Sequence, residues 1–133
     1  MQTRKVLNDA DIETLFAAMS ADPPDFLVVN PSPTLFVERA RIARLVRAQR
    51  LATNCQVVDH TEAGCLMSYG ADVFDLSRRA AGHAERILRG ADPGRLPVQQ
   101  PTRFQLVINL DRAKALGLSI PHALLARADR LID

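Results

Sequence analysis

Two runs, Gly64-Cys-Leu-Met-Ser-Tyr-Gly-Ala-Asp72 and Leu96-Pro-Val-Gln-Gln-Pro-Thr-Arg-Phe-Gln-Leu-Val-Ile-Asn-Leu110, decide how this chain folds. In the first, residues 65–69 read as a short strand, after which Asp72 is placed to cap a helix. Val73, Leu76, Ala80, Ala84, Ile87 and Leu88 then recur at helical spacing, and Gly90 is positioned to close the helix. In the second, a proline-punctuated linker over 92–101 gives way to the apolar run 104–109, a further strand. Asn109 or Leu110 opens a short helix that Gly117 ends. Pro121 suits the first position of a last helix carrying Leu124, Leu125, Ala128 and Leu131.

Working outward, the same alternation extends to the N-terminus. Asn8 and Asp9 are N-cap candidates for a helix with Ile12, Leu15, Phe16 and Met19 on one side, and Pro23-Pro24 ends it. Asp25-Phe-Leu-Val-Val29 is a short continuous apolar run, as expected of a strand covered on both faces. The turn Asn30-Pro-Ser-Pro-Thr34 leads to a helix over 35–49 and a strand over 53–58. Strands separated by helices predict an α/β domain with a parallel sheet, one domain over 1–133.

Composition is that of an ordinary globular chain: 133 residues, 47% hydrophobic and 24% charged. Aromatic residues make up 5%, with no Trp, so the core must be built from Leu, Val, Ile and Ala. A net charge of +2 is too small to point to nucleic acid or an acidic partner. The basic series Arg39, Arg41, Arg44, Arg47 and Arg50, with only Glu38 nearby, reads as a solvated helix face. Cys55 and Cys65 fit neither a metal site nor a disulfide framework and read as buried thiols, with a bridge between neighbouring strands as the alternative. No cofactor is expected, nor membrane insertion, since nowhere are about 18 apolar residues consecutive. No signal-peptide pattern opens the chain. The expected location is cytoplasmic as given, and periplasmic for a fragment of an exported precursor.

In open parallel α/β sheets ligands bind beyond the carboxyl ends of the strands. Those ends are here Asn30-Pro-Ser-Pro-Thr34, Asp59-His-Thr61 and Ser68-Tyr-Gly-Ala-Asp72. Their hydroxyls, carboxylates, phenol and helix N-terminus suit a small polar ligand such as an amino acid. From pattern alone the plainer reading is that they are caps and turns, with Gly70 permitting a turn. Asp59-His60 with Cys65 has the ingredients of a thiol and its base, but a core cysteine and a turn histidine is again the plainer reading.

The string Glu62-Ala-Gly-Cys-Leu-Met-Ser-Tyr-Gly70, followed by Leu76-Ser-Arg-Arg-Ala-Ala81, Ile87-Leu-Arg-Gly90, Leu96-Pro-Val-Gln-Gln-Pro101, Phe104-Gln-Leu-Val-Ile-Asn109 and Ala113-Lys-Ala-Leu-Gly117, resembles the substrate-binding proteins of ABC importers in the tryptophan-binding-like group. The likeness continues upstream through Asp25-Phe-Leu-Val-Val29 and the Pro31-Ser-Pro-Thr34 turn and is weakest in the first helix. It implies a type I periplasmic-binding fold, two α/β lobes closing on a ligand, of which this chain is the C-terminal portion: a truncated, flavodoxin-like, parallel-sheet lobe. It also implies that Ser68-Tyr69-Gly70 leaves the second lobe near the hinge, that residues 72–90 and 104–109 belong to the first lobe, and that the last helix returns to the second. Most of the first lobe, with its half of the site, is missing from such a portion. Cys65 stands where relatives usually carry a small or apolar residue, and His83 where an aromatic is common.

The expected function is therefore non-enzymatic. Ser32, Thr34, Asp59, Ser68, Tyr69, Gly70 and Asp72 would form half of a cleft for an amino-acid-like ligand in an ABC import system, with an ABC permease as partner. The hydroxyls and the amides after Gly70 would hold a carboxylate, and Tyr69 would pack on the ligand body. The alternative is an interaction module that has lost solute binding, in which residues 72–90 and 104–109 find new cover in one sheet or in a homodimer. A thiol-dependent enzyme with a fast-reacting Cys65 is the third reading.

Overall fold

Five strands in sequence order, β1-β2-β3-β4-β5, form the sheet of the computed structural model, which describes residues 3–6 and 8–133. They are β1 (Phe26–Val29), β2 (Ala52–Cys55), β3 (Met67–Ala71), β4 (Phe104–Asn109) and β5 (Arg130–Ile132). The helices are α1 (Asp9–Ala21), α2 (Pro33–Val37), α3 (Arg39–Ala48), α4 (Val58–Ala63), α5 (Val73–Leu88), α6 (Leu110–Leu116) and α7 (His122–Leu125). The α/β class and the mostly parallel sheet are as expected. One junction differs: β3 and β4 pair antiparallel, with Tyr69 opposite Leu106, while the other three pairings are parallel.

Local chemistry explains most element ends. Asn8 and Asp11 form a capping box, each side chain accepting from the other's backbone N–H at 3.1 Å. Asn109 Oδ1 accepts from the Arg112 N–H at 2.7 Å, and Gly117 closes α6 in the left-handed conformation at φ 73°. The helix expected over 35–49 begins earlier, at Pro33 behind the Ser32 cap, and breaks at Glu38 into α2 and α3. The strand expected over 53–58 stops at Cys55, and Val58 already opens α4. The last helix ends at Leu125, and Leu131 lies in β5, held by the Asp129 N–H donating to the Leu106 carbonyl at 2.9 Å.

The main core cluster lies on one face of the sheet, and Leu106 and Ile108 of β4 are buried on the other. Ile12 and Phe16 of α1 and Ile42 and Val46 of α3 pack on Val29, Leu51, Cys55 and Cys65. Arg112 of α6 clamps this layer from below, its Nη2 donating to the carbonyls of Val46 at 2.9 Å and Leu51 at 3.3 Å. The buried guanidinium thus ties the last turn of α3 to the start of β2, sharing the Val46 carbonyl with the Leu51 N–H. The implied first-lobe membership of residues 104–109 is not what the structure shows: β4 is hydrogen-bonded on both sides within this sheet, and Leu106, Val107 and Ile108 are buried. Helix α5, the longest, has no buried residue along its 16 residues, as is also true of the short α2 and α7.

Candidate functional site

Because β1, β2 and β3 run parallel, their carboxyl ends share one edge of the sheet. β1 leads to Ser32, whose Oγ accepts from the Leu35 N–H at 3.1 Å and so caps α2, with Thr34 half-buried in the turn that follows. β2 leads through Gln56 and Val57 into α4, so Asp59 is a half-buried residue of a first helical turn rather than of a loop. β3 ends in Gly70 and Ala71. A Cβ on Gly70 would lie 1.9 Å from the Gln56 carbonyl oxygen, so the glycine is required by the close approach of two strand ends and not by a turn. Asp72 then caps α5, its Oδ1 accepting from the Asp75 N–H at 3.0 Å while its own N–H donates to the Arg103 carbonyl.

The expected residues thus divide. Ser32, Thr34, Asp59, Gly70 and Asp72 lie along the strand-end edge. Ser68 and Tyr69 lie within β3 and, as neighbours on a strand, face opposite sides of the sheet. Ser68 is wholly buried, and its Oγ has no hydrogen-bond partner among the described residues. Tyr69 is half exposed and stacks on Phe104 with ring centroids 5.8 Å apart.

A concavity of about 340 Å³ opens between the ends of β1 and β2, lined by Pro31, Ser32, Pro33, Phe36, Val57 and His60. Sequence reasoning weighed His60 as a base for Cys65, preferred a turn histidine and did not place it at the ligand site; the helical turn of α4 that buries it carries too little periodicity to be seen in six residues. His60 is 2% exposed, with Nε2 3.1 Å from the Leu35 carbonyl oxygen. Phe36 meets the imidazole edge-on at 6.4 Å, and the Arg39 guanidinium lies 4.9 Å above the Phe36 ring. Burial pushes the His60 pKa below its ordinary 6.5; the Leu35 hydrogen bond and Asp59 oppose this, and Arg39 adds to it.

The thiol and base are not assembled as a catalytic pair, since the His60 Nε2 is directed to Leu35. Cys55 and Cys65 are both free and fully buried, and no disulfide joins them. The hydrogen bond to Cys65, together with burial, raises the Cys55 pKa. The arginine series is more engaged than expected. Arg41 pairs with Glu13 of α1 at 2.8 Å, Arg50 donates to the Ala115 carbonyl at 3.1 Å, and Arg47 packs against Gly64. Among the described residues no cluster of His, Cys, Asp or Glu could hold a metal ion, and no helix is long and apolar enough to cross a membrane.

Comparison with known proteins places this geometry in a family. Residues 2–132 match the family described as "ABC transporter substrate binding protein". No curated protein matches the chain. Among solved structures, a conserved domain protein from Vibrio cholerae O1 biovar El Tor is 27% identical over 96% of this chain and 43% of its own, with a TM-score of 0.87. An ABC domain in complex with L-Trp from Streptococcus pneumoniae is 24% identical over 98% of this chain and 44% of its own, with a TM-score of 0.91. The ligand-free, open structure of a substrate binding protein with adhesive properties from Clostridium difficile has a TM-score of 0.66 at 16% identity, covering 97% of this chain and 43% of its own. The chain therefore spans less than half the length of these proteins while sharing their fold. With nearly every residue inside the family match, this chain belongs to the ABC transporter substrate-binding protein family.

Proposed function

We propose that this chain forms one wall of a ligand cleft in a substrate-binding protein of an ABC import system. It is non-enzymatic and offers half of a site for a small, amino-acid-like solute. The other wall comes from polypeptide outside these residues, as in a two-lobed type I periplasmic-binding protein, and an ABC permease receives the solute, outside the cytoplasm. The observation that carries this reading is the family match over residues 2–132 on a chain whose three parallel strands end together at one edge. The L-Trp held by the pneumococcal relative supports an amino acid as the ligand class. In this reading Ser32, Thr34, Asp59, Gly70 and Asp72 border the ligand directly. Tyr69 packs beside its body, and Ser68 anchors β3 beneath.

A half-cleft buries little of a ligand and recovers little of the free energy that immobilising it costs. Calorimetric titration of the monomer with a panel of amino acids should therefore give dissociation constants of about 1 mM or weaker. Tight, one-to-one binding to a proven monomer would contradict the half-site.

A further inference from the structure

A second concavity, of about 260 Å³, opens on α5 and is lined by Arg79, Gly82, His83, Arg86 and Gln99. It begins about two helical turns, roughly 10 Å, beyond the Asp72 cap. At about 100° per residue its four helical members share one side of α5, while Val73, Ala80, Ala84 and Ile87 of the apolar stripe share another. The segment after the helix runs back along it and forms the other wall. There the Asp72 N–H donates to the Arg103 carbonyl at 3.0 Å, and Arg79 Nη2 donates to Thr102 Oγ1. Every polar side chain in the lining can donate a hydrogen bond, and none is a carboxylate. The acids of α5 are engaged, Asp75 with Arg79 at 2.8 Å and Glu85 with Arg89 at 2.7 Å, and Arg86 has no ion pair among the described residues. Gly82 weakens the middle of the helix relative to Ala, yet packing does not require it: an added Cβ would meet nothing within 4 Å.

We propose that this concavity is a binding site for a small phosphate-bearing anion, with Arg79 and Arg86 holding its oxygens and N–H groups of His83 and Gln99 completing the shell. A guanidinium presents a planar fork of donors that matches phosphate oxygens, and Asp75 and Thr102 hold the fork of Arg79 in place before any ligand arrives. Arg79 shares its charge with Asp75, so Arg86 supplies the unbalanced positive charge. The bare Gly82 lets the anion approach the helix closely. Covering the apolar stripe of α5 does not close this side of the helix, and the site does not depend on the half-cleft reading.

Titrating the nitrogen-15-labelled full chain with inorganic phosphate, against chloride at matched ionic strength, tests the assignment. Phosphate should saturate with a dissociation constant of about 1–10 mM at low salt and shift the Gly82, His83 and Arg86 amides. It should also slow hydrogen exchange along α5, because the anion binds only the ordered helix. Arg86→Gln should weaken binding about fivefold, roughly the most that one partly exposed charge pair contributes. Gly82→Ala places a methyl in the concavity and favours the helix, so it should weaken phosphate binding while slowing α5 exchange without phosphate. Arg44→Gln, at an exposed arginine of α3, should bind as the unsubstituted chain does. Equal shifts with phosphate and chloride, as large a loss at Arg44 as at Arg86, or no saturation below about 50 mM would overturn the proposal. Vesicles of phosphatidylglycerol separate a lipid headgroup from free phosphate. Release of the chain from them by inorganic phosphate would support the site, and retention on them with no response to inorganic phosphate would overturn it.

Discussion

Leu27 and Val29 of β1 point toward Ile12, Phe16, Ile42 and Val46, whereas Phe26 and Val28, on the same strand, are 45% and 52% exposed. The pairing of Val28 with Asn54 and of Asn54 with Met67 carries this second face across the sheet to Tyr69 and Phe104, both about half exposed. One face is thus closed by α1 and α3, and the other presents an apolar surface to solvent over β1 to β3. Helix α5 repeats the pattern: Val73, Ile87 and Leu88 belong to an apolar stripe, and all three are exposed. The difference teaches that apolar patterning records where cover is expected, not where this chain provides it. Exposed apolar side chains gathered on one face, here Phe26, Val28, Tyr69 and Phe104 around a half-buried Asn54, suit an interaction surface. In the proposed function it packs against the remainder of a two-lobed protein.

Substitution on the two sides breaks or sharpens the comparison most strongly. Ile42→Ala, on the closed face, should cost about 2–5 kcal/mol in urea unfolding, whereas Leu88→Ala or Phe74→Ala in α5 should stay within about 0.5 kcal/mol. Comparable losses at Ile42 and Leu88 would mean that α5 is packed after all. Gly70→Ala tests the join between the strand ends. Its Cβ cannot coexist with the Gln56 carbonyl at 1.9 Å, so the ends must separate at a cost of about 1–3 kcal/mol. An unchanged midpoint would show that the edge is not held together there.

The smallest effect is electrostatic and belongs to the closed side. His60 has a folded-state pKa below its unfolded value of 6.5, because burial favours the neutral ring. Above about pH 6.5 both states are neutral there and the full stability is present. As pH falls below that value, the unfolded chain takes up a proton that the folded one resists, and stability declines until the folded pKa is passed. His60→Phe should flatten this part of the stability profile. An unchanged slope between pH 6.5 and the folded pKa would show that His60 is not the group responsible.

Strong local signals made much of this legible from sequence. The run over 104–109, the Asp72 and Asn109 caps and the Gly117 terminator each combine a periodic apolar pattern with a residue suited to the end, and the structure has them as read. What was missed lacked one or the other. Helix α4 has six residues and no side-chain cap, so His60 and Asp59 looked like a turn. β5 has three residues, and Leu131 fitted a helical spacing equally well. The antiparallel junction of β3 and β4 and the Arg112 clamp depend on long-range contacts that no local pattern records. At the site, the strand ends could be named from the alternation of elements. The burial of His60 beside them could not, because it arises only where α4 meets α2.

Backbone hydrogen exchange compares the closed and open regions directly. An amphipathic helix without tertiary cover is marginal in water, so α5 should exchange within seconds, while β2, β4 and α3 should be protected to nearly the global stability. That result would support a finished half-lobe whose open face and projecting helix await the rest of a cleft. Protection of α5 equal to that of β4 in the monomer would contradict it.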